Sequence, residues 1–134
     1  SGDWYNDVQI LSSCSDGQYN GGTGYEVHHN IIKTTAQRAV GFIDHDNHPL
    51  DVKGMHVHDN AIYLQTTNTG RVGGQDDSGD YDPFSGAADN TYVNNHYHVS
   101  DDTLAYWRWN NLDKTWSQWQ ALGLDTGGTL DEVL

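Results

Sequence analysis

Hydrophobic positions along this chain come in short runs broken by polar corners, and within the runs they alternate with period two. That is the pattern of half-buried strands rather than of helices. The most regular stretch spans residues 25–32 and returns at 55–62. Val27 falls over Val57, His28 over His58, Asn30 over Asn60 and Ile32 over Ile62, at a spacing of thirty. A weaker copy occupies 92–99, where Val93 follows the first Val and His96 stands at the Asn position. Each copy reads as a short strand, one tight corner and a second strand. Asn suits the corner because it tolerates the left-handed region and its amide can bond to its neighbours.

A second repeated segment follows each corner. Residues 39–47 lie thirty before residues 69–77, both in the order Gly, apolar, then a polar loop. A repeat of thirty is long for two or three strands, so loops are expected to bulge at 45–51 and 73–88. Ahead of the repeats, residues 7–11 form one further strand-like run. The tail differs: residues 104–122 carry four of the five Trp. Residues 112–123 read as a short helix that Thr115 or Ser117 could cap and Gly123 would stop. Trp116, Trp119 and Leu122 would share one face of it.

The "V-x-x-N-x-I" segments at Val27–Ile32 and Val57–Ile62 resemble the rungs of the right-handed parallel β-helix, or pectate-lyase-like, superfamily. The "W-x-x-W-x-x-x-G-x-D" segment from Trp116 resembles the ending of many secreted members. The resemblance covers about residues 7–125. It implies an all-β fold, a right-handed parallel β-helix of few coils with an internal Asn ladder. Residues 1–103 would form the coils and residues 104–134 a Trp-rich C-terminal cap. The alternative is an antiparallel sandwich with Asn turns. No matching cap is visible at the front, and the chain opens at Ser1. The expectation is therefore the C-terminal part of a longer, processed β-helix, or a chain that stacks on a partner chain or on itself.

Composition agrees with many strands and turns. Of 134 residues 35% are hydrophobic and 15 are Gly, while the aromatic and β-branched content is too high for disorder. The formal net charge is −13, from six Lys and Arg against nineteen Asp and Glu. Such a surface repels nucleic acid and anionic membrane and leaves neutral glycans, cationic partners and Ca²⁺ as candidates. No apolar stretch approaches the roughly twenty residues of a membrane span. Cys14 is the single cysteine, so an intrachain disulfide is impossible. Secretion is a compositional expectation.

Phosphate-loop, nucleophile-elbow and HExxH patterns are missing from the sequence. His28 and His58, on neighbouring rungs about 4.8 Å apart, would allow a transition-metal site. Asp76, Ser78, Asp80 and Asp82 offer oxygen at alternate positions, as Ca²⁺ prefers. The resemblance implies a polysaccharide partner and either of two activities. A lyase would pair Ca²⁺ with a basic residue such as Arg71, the nearest to the acidic loop. A glycosidase would use two carboxylates from Asp44, Asp46 and Asp76; at a spacing of thirty, Asp46 would stack near Asp76. His45, Trp107 and Trp109 are the candidate sugar contacts, although a Trp lid over the core is the other reading of the tail. A non-catalytic glycan-binding adhesin or tailspike-like module, or a purely structural segment, are the remaining classes.

Overall fold

The computed structural model describes residues 6–12, 23–35, 38–44, 53–76, 86 and 88–133. Among these residues it is all-β apart from one short helix. The strands are β1 (Asn6–Ser12), β2 (Thr23–His28), β3 (Ile31–Thr34), β4 (Arg38–Asp44), β5 (Lys53–His58) and β6 (Ala61–Leu64). They continue with β7 (Val72–Asp76), β8 (Thr91–Val93), β9 (His96–Val99), β10 (Trp107–Trp109) and β11 (Leu112–Lys114). Helix α1 (Trp116–Ala121) and β12 (Thr129–Glu132) close the chain.

Successive strands go to different sheets, and through β10 every third strand returns to the same one. The sheets are β1-β4-β7-β10-β11, β2-β5-β8 and β3-β6-β9-β12. All neighbours pair in parallel except the β10–β11 hairpin. Parallel pairing is incompatible with the antiparallel sandwich.

Alternation along the strands selects what is buried. In β5 Met55 and Val57 point inward, in β6 Ile62 and Leu64, and in β9 Tyr97 and Val99. Stacked in register these make continuous inner rows: Val27, Val57, Tyr92; Ile32, Ile62, Tyr97; Val40, Val72, Trp107. Each row reaches an aromatic, so one layer of the core is Tyr92, Tyr97 and Trp107, all buried, and Leu130 of β12 stacks beyond Tyr97. Trp119 meets Tyr92 edge to face at 5.2 Å, and Trp116 tilts against Trp107 at 4.9 Å. The Trp-rich tail thus packs on the end of the core. Thr115 caps α1, with reciprocal bonds to Gln118.

Side-chain amides follow one another from an exposed start into the interior. Asn30 donates to the Oδ1 of Asn60 at 3.1 Å, Asn60 to that of Asn95 at 2.9 Å, and Asn95 to that of Asp125 at 2.8 Å.

Five expectations need correcting. The left-handed corner residue is not the Asn but the residue before it: His29, Asp59 and Asn94 have φ of 56°, 54° and 55°. These are the types that adopt this conformation most readily after Gly, which frees the next side chain to turn inward. The third repeat is offset by thirty-five, so Asn95, not His96, follows Asn60, and Tyr92 rather than Val93 follows Val57. In the first sheet the offset is thirty-two, which sets Asp44, not Asp46, beside Asp76. Finally, residues 112–114 are strand, so the helix is shorter than expected, and β7 continues through Gly73, inside the expected loop.

Candidate functional site

The outer face of β2-β5-β8 carries a bonded chain of imidazoles and carboxylates. With Met55 and Val57 inward, His56 and His58 face out, and register sets them beside Glu26 and His28. The left-handed corners contribute Asp59 and His29, and Asp89 sits at another left-handed position before β8. His56 meets Glu26 through Nδ1 at 2.9 Å and Asp89 through Nε2 at 3.1 Å. His58 meets Asp59 through Nδ1 at 2.7 Å and the second oxygen of Glu26 through Nε2 at 3.1 Å. The order across the surface is Asp89, His56, Glu26, His58, Asp59.

A neutral imidazole carries one N–H, yet both nitrogens of His56 and of His58 face carboxylate oxygen. Only the doubly protonated rings satisfy all four contacts. The bond to Glu26, then that to Asp89, raises the pKa of His56; the bond to Asp59, then that to Glu26, raises His58. His56 chiefly lowers Glu26 and His58 lowers Asp59. The two rings therefore hold their protons more tightly than free imidazoles, and the two carboxylates hold theirs less tightly than free ones.

His28 stacks on His58 at 5.0 Å and 6°, as the thirty-residue register predicts, and its Nδ1 lies 2.8 Å from that of His29. Both nitrogens of His58 are already engaged. Among the described residues, no group of three His, Cys, Asp or Glu is placed to hold a metal ion.

A second feature lies at the C-terminal end. An open cleft of about 380 Å³ is lined by Asp102, Thr103, Thr115, Trp116, Ser117 and Leu130. One rim is a turn in which Asp101 accepts from the backbone N–H and hydroxyl of Thr103 at 2.9 and 2.5 Å. The opposite rim is the start of α1.

The residues singled out from sequence are only partly gathered. Asp44 and Asp76 are direct register partners on β4 and β7, in one row with Ser12. Arg71 precedes β7, five positions from Asp76 and so about 16 Å along the strand. It is therefore not positioned beside the acidic pair. Trp107 is fully buried against Tyr97, Tyr106 and Trp116 and offers no face to a sugar; this part of the tail is core. Trp109 is only partly buried and has Lys114 over its ring at 5.7 Å. His45, Asp46, Ser78, Asp80, Asp82 and Cys14 lie outside the described residues.

Sequence reasoning passed over Glu26, Asp89, Asp102 and Asp125. For Glu26 the signal was present: it stands thirty before His56, in the same register as the His28 and His58 pair. For Asp125 it was the final letter of the Trp116 motif. No family model, curated protein or solved structure significantly matches the chain.

Proposed function

We propose that this chain is a right-handed parallel β-helix of few coils with an internal Asn ladder, and that it engages polysaccharide as part of a secreted carbohydrate-active protein. The observation that carries the reading is the stacking itself. Every third strand through β10 pairs in parallel and in register, and the amides of Asn30, Asn60 and Asn95 bond in series to Asp125. A face built by translation presents the same spacing again and again, which complements a polymer built by translation. The net charge of −13 favours an uncharged glycan over a uronate.

Binding is the primary activity in this reading. A catalytic form of it is hydrolysis by Asp44 and Asp76, set side by side on adjacent strands. A lyase reaction is less well supported because Arg71 stands at the far end of β7. Ca²⁺ at Asp76, Ser78, Asp80 and Asp82 belongs to the same reading.

The test is retention of the intact chain on a panel of neutral and acidic insoluble polysaccharides, with release of reducing ends followed in parallel. Retention on a neutral glycan is expected. Reducing ends released by the wild type and lost in Asp44→Asn and Asp76→Asn would make it a hydrolase. No retention on any glycan in the panel would remove the carbohydrate reading.

A further inference from the structure

We infer that the cleft between the 101–103 turn and the start of α1 is a subsite for one uncharged sugar ring. This rests on the polysaccharide reading above and adds to it a place and a ligand class. The argument begins with the lining. Trp116 supplies an aromatic wall and Leu130 an apolar floor, while Thr103, Thr115 and Ser117 supply hydroxyls and Asp102 a carboxylate. The C–H faces of a pyranose pack against an indole, and its vicinal hydroxyls donate to a carboxylate and exchange bonds with hydroxyls.

Other ligand classes fit less well. No Lys or Arg lines the cleft, and the whole chain is strongly acidic, so phosphate, sulfate and uronate are disfavoured. One carboxylate gives too few anionic oxygens for a tightly held metal ion. Four of the six lining residues carry polar side chains beside the apolar surfaces of Trp116 and Leu130, a mixture that suits an amphipathic guest better than a purely apolar one. At about 380 Å³ the cleft lies near the lower end of the roughly 300–1,000 Å³ of ligand pockets, which suits a ring rather than a long chain segment.

The cleft is also held in shape before any ligand arrives. Trp116 is braced by Trp107 at 4.9 Å and Tyr97 at 5.5 Å. Leu130 belongs to β12, paired with β9. Thr103 donates to Asp101 and keeps its lone pairs for a ligand, while the Thr115 hydroxyl accepts the Gln118 N–H at 3.5 Å and shares a 3.3 Å bond with the Ser117 hydroxyl. Preorganised groups lose little freedom on binding. The site sits where the Trp-rich tail closes the stack, so Trp116 serves both the core and the cleft.

The experiment is an amide-resolved NMR titration of the full chain with neutral hexasaccharides of glucose, mannose, galactose and xylose, and with a uronate oligosaccharide. At least one neutral hexasaccharide is expected to shift Thr103, Thr115 and Ser117. Asp102→Ala, an exposed substitution that leaves the core intact, should weaken that binding by tenfold or more. Trp116→Leu should weaken it further. Binding that shifts other residues and ignores Asp102→Ala would overturn the subsite and leave the polysaccharide reading standing. Uronate binding in the cleft would overturn the ligand class. Failure of every oligosaccharide, together with no retention on polysaccharide, would remove both.

Discussion

Asn95 donates to Asp125 twice, through its backbone N–H at 3.1 Å and its side-chain amide at 2.8 Å, both to the same carboxylate oxygen. The other oxygen accepts the hydroxyl of Tyr97 at 2.7 Å and the indole N–H of Trp119 at 3.1 Å. One buried carboxylate thus ends the series of Asn side chains and ties α1 and the aromatic layer to it. An Asn here would offer only one acceptor oxygen, whereas a carboxylate accepts on both sides. Burial pushes the Asp125 carboxyl up, while these donors pull it the other way.

Replacing Asp125 by Ala leaves four buried donors without their acceptor. Each such orphan costs about 1–3 kcal/mol, and partial relaxation will recover some of it, so a loss of roughly 3 kcal/mol or more is expected. Asp125→Asn should lose nearly as much, because its NH₂ must face one of the two donor pairs. Urea unfolding followed by Trp fluorescence measures both. A near-neutral Asp125→Asn would show that the donors do not act as described.

Position in the amide series should set the cost of breaking it. Asn60 is fully buried; it accepts from Asn30 and donates to Asn95 and to the Val27 carbonyl. Asn30, at the start of the series, is exposed. Asn60→Ala should cost roughly 1–3 kcal/mol, and Asn30→Ala clearly less. Equal costs, read from paired denaturation curves, would mean that burial does not strengthen these bonds.

The parts of the fold legible in the sequence were those with strict local periodicity. Val27 over Val57 and Ile32 over Ile62 share one offset because no residue was inserted between the first two copies. The third copy was misaligned because its inner positions switch from aliphatic to aromatic, Tyr92 for Val57 and Tyr97 for Ile62, while five extra residues shift the register. A pattern sought as "V-x-x-N" then settled on Val93 and His96. The Asp44 and Asp76 pairing was missed for a related reason: the first sheet repeats at thirty-two, not thirty. The imidazole–carboxylate chain was half visible. The His28 and His58 pair was noticed, but the carboxylates that bond the imidazoles come from a neighbouring strand and two corners, which only the folded register brings together.

Trp119 is the largest test of the packed end. It is fully buried against Tyr92 and donates to Asp125. Its closeness also explains Gly73: a Cβ there would lie 2.3 Å from the Arg108 carbonyl oxygen and 2.8 Å from the Trp119 ring, at φ +111°. Trp119→Ala should cost about 3–5 kcal/mol, visible as a large drop in thermal midpoint. Retained stability would put the tail outside the core.

The pH behaviour of the outer sheet face follows from the same geometry. A raised imidazole pKa means that the folded state holds the proton more tightly than the unfolded chain. The associated stabilisation is therefore complete below the ordinary His value, about 6.5, and is lost as pH rises through the raised values of His56 and His58. Glu26 and Asp59 are lowered, so their contribution disappears in the opposite direction, as acid protonates them. Between these limits the chain from Asp89 to Asp59 is fully paired. NMR titration should place both His midpoints above the ordinary value. Glu26→Gln should lower both, Asp89→Asn only His56, and Asp59→Asn only His58, because each carboxylate touches a different set of ring nitrogens. A Glu26→Gln protein whose two midpoints do not move would show that the bridge across β2 and β5 does not form in solution.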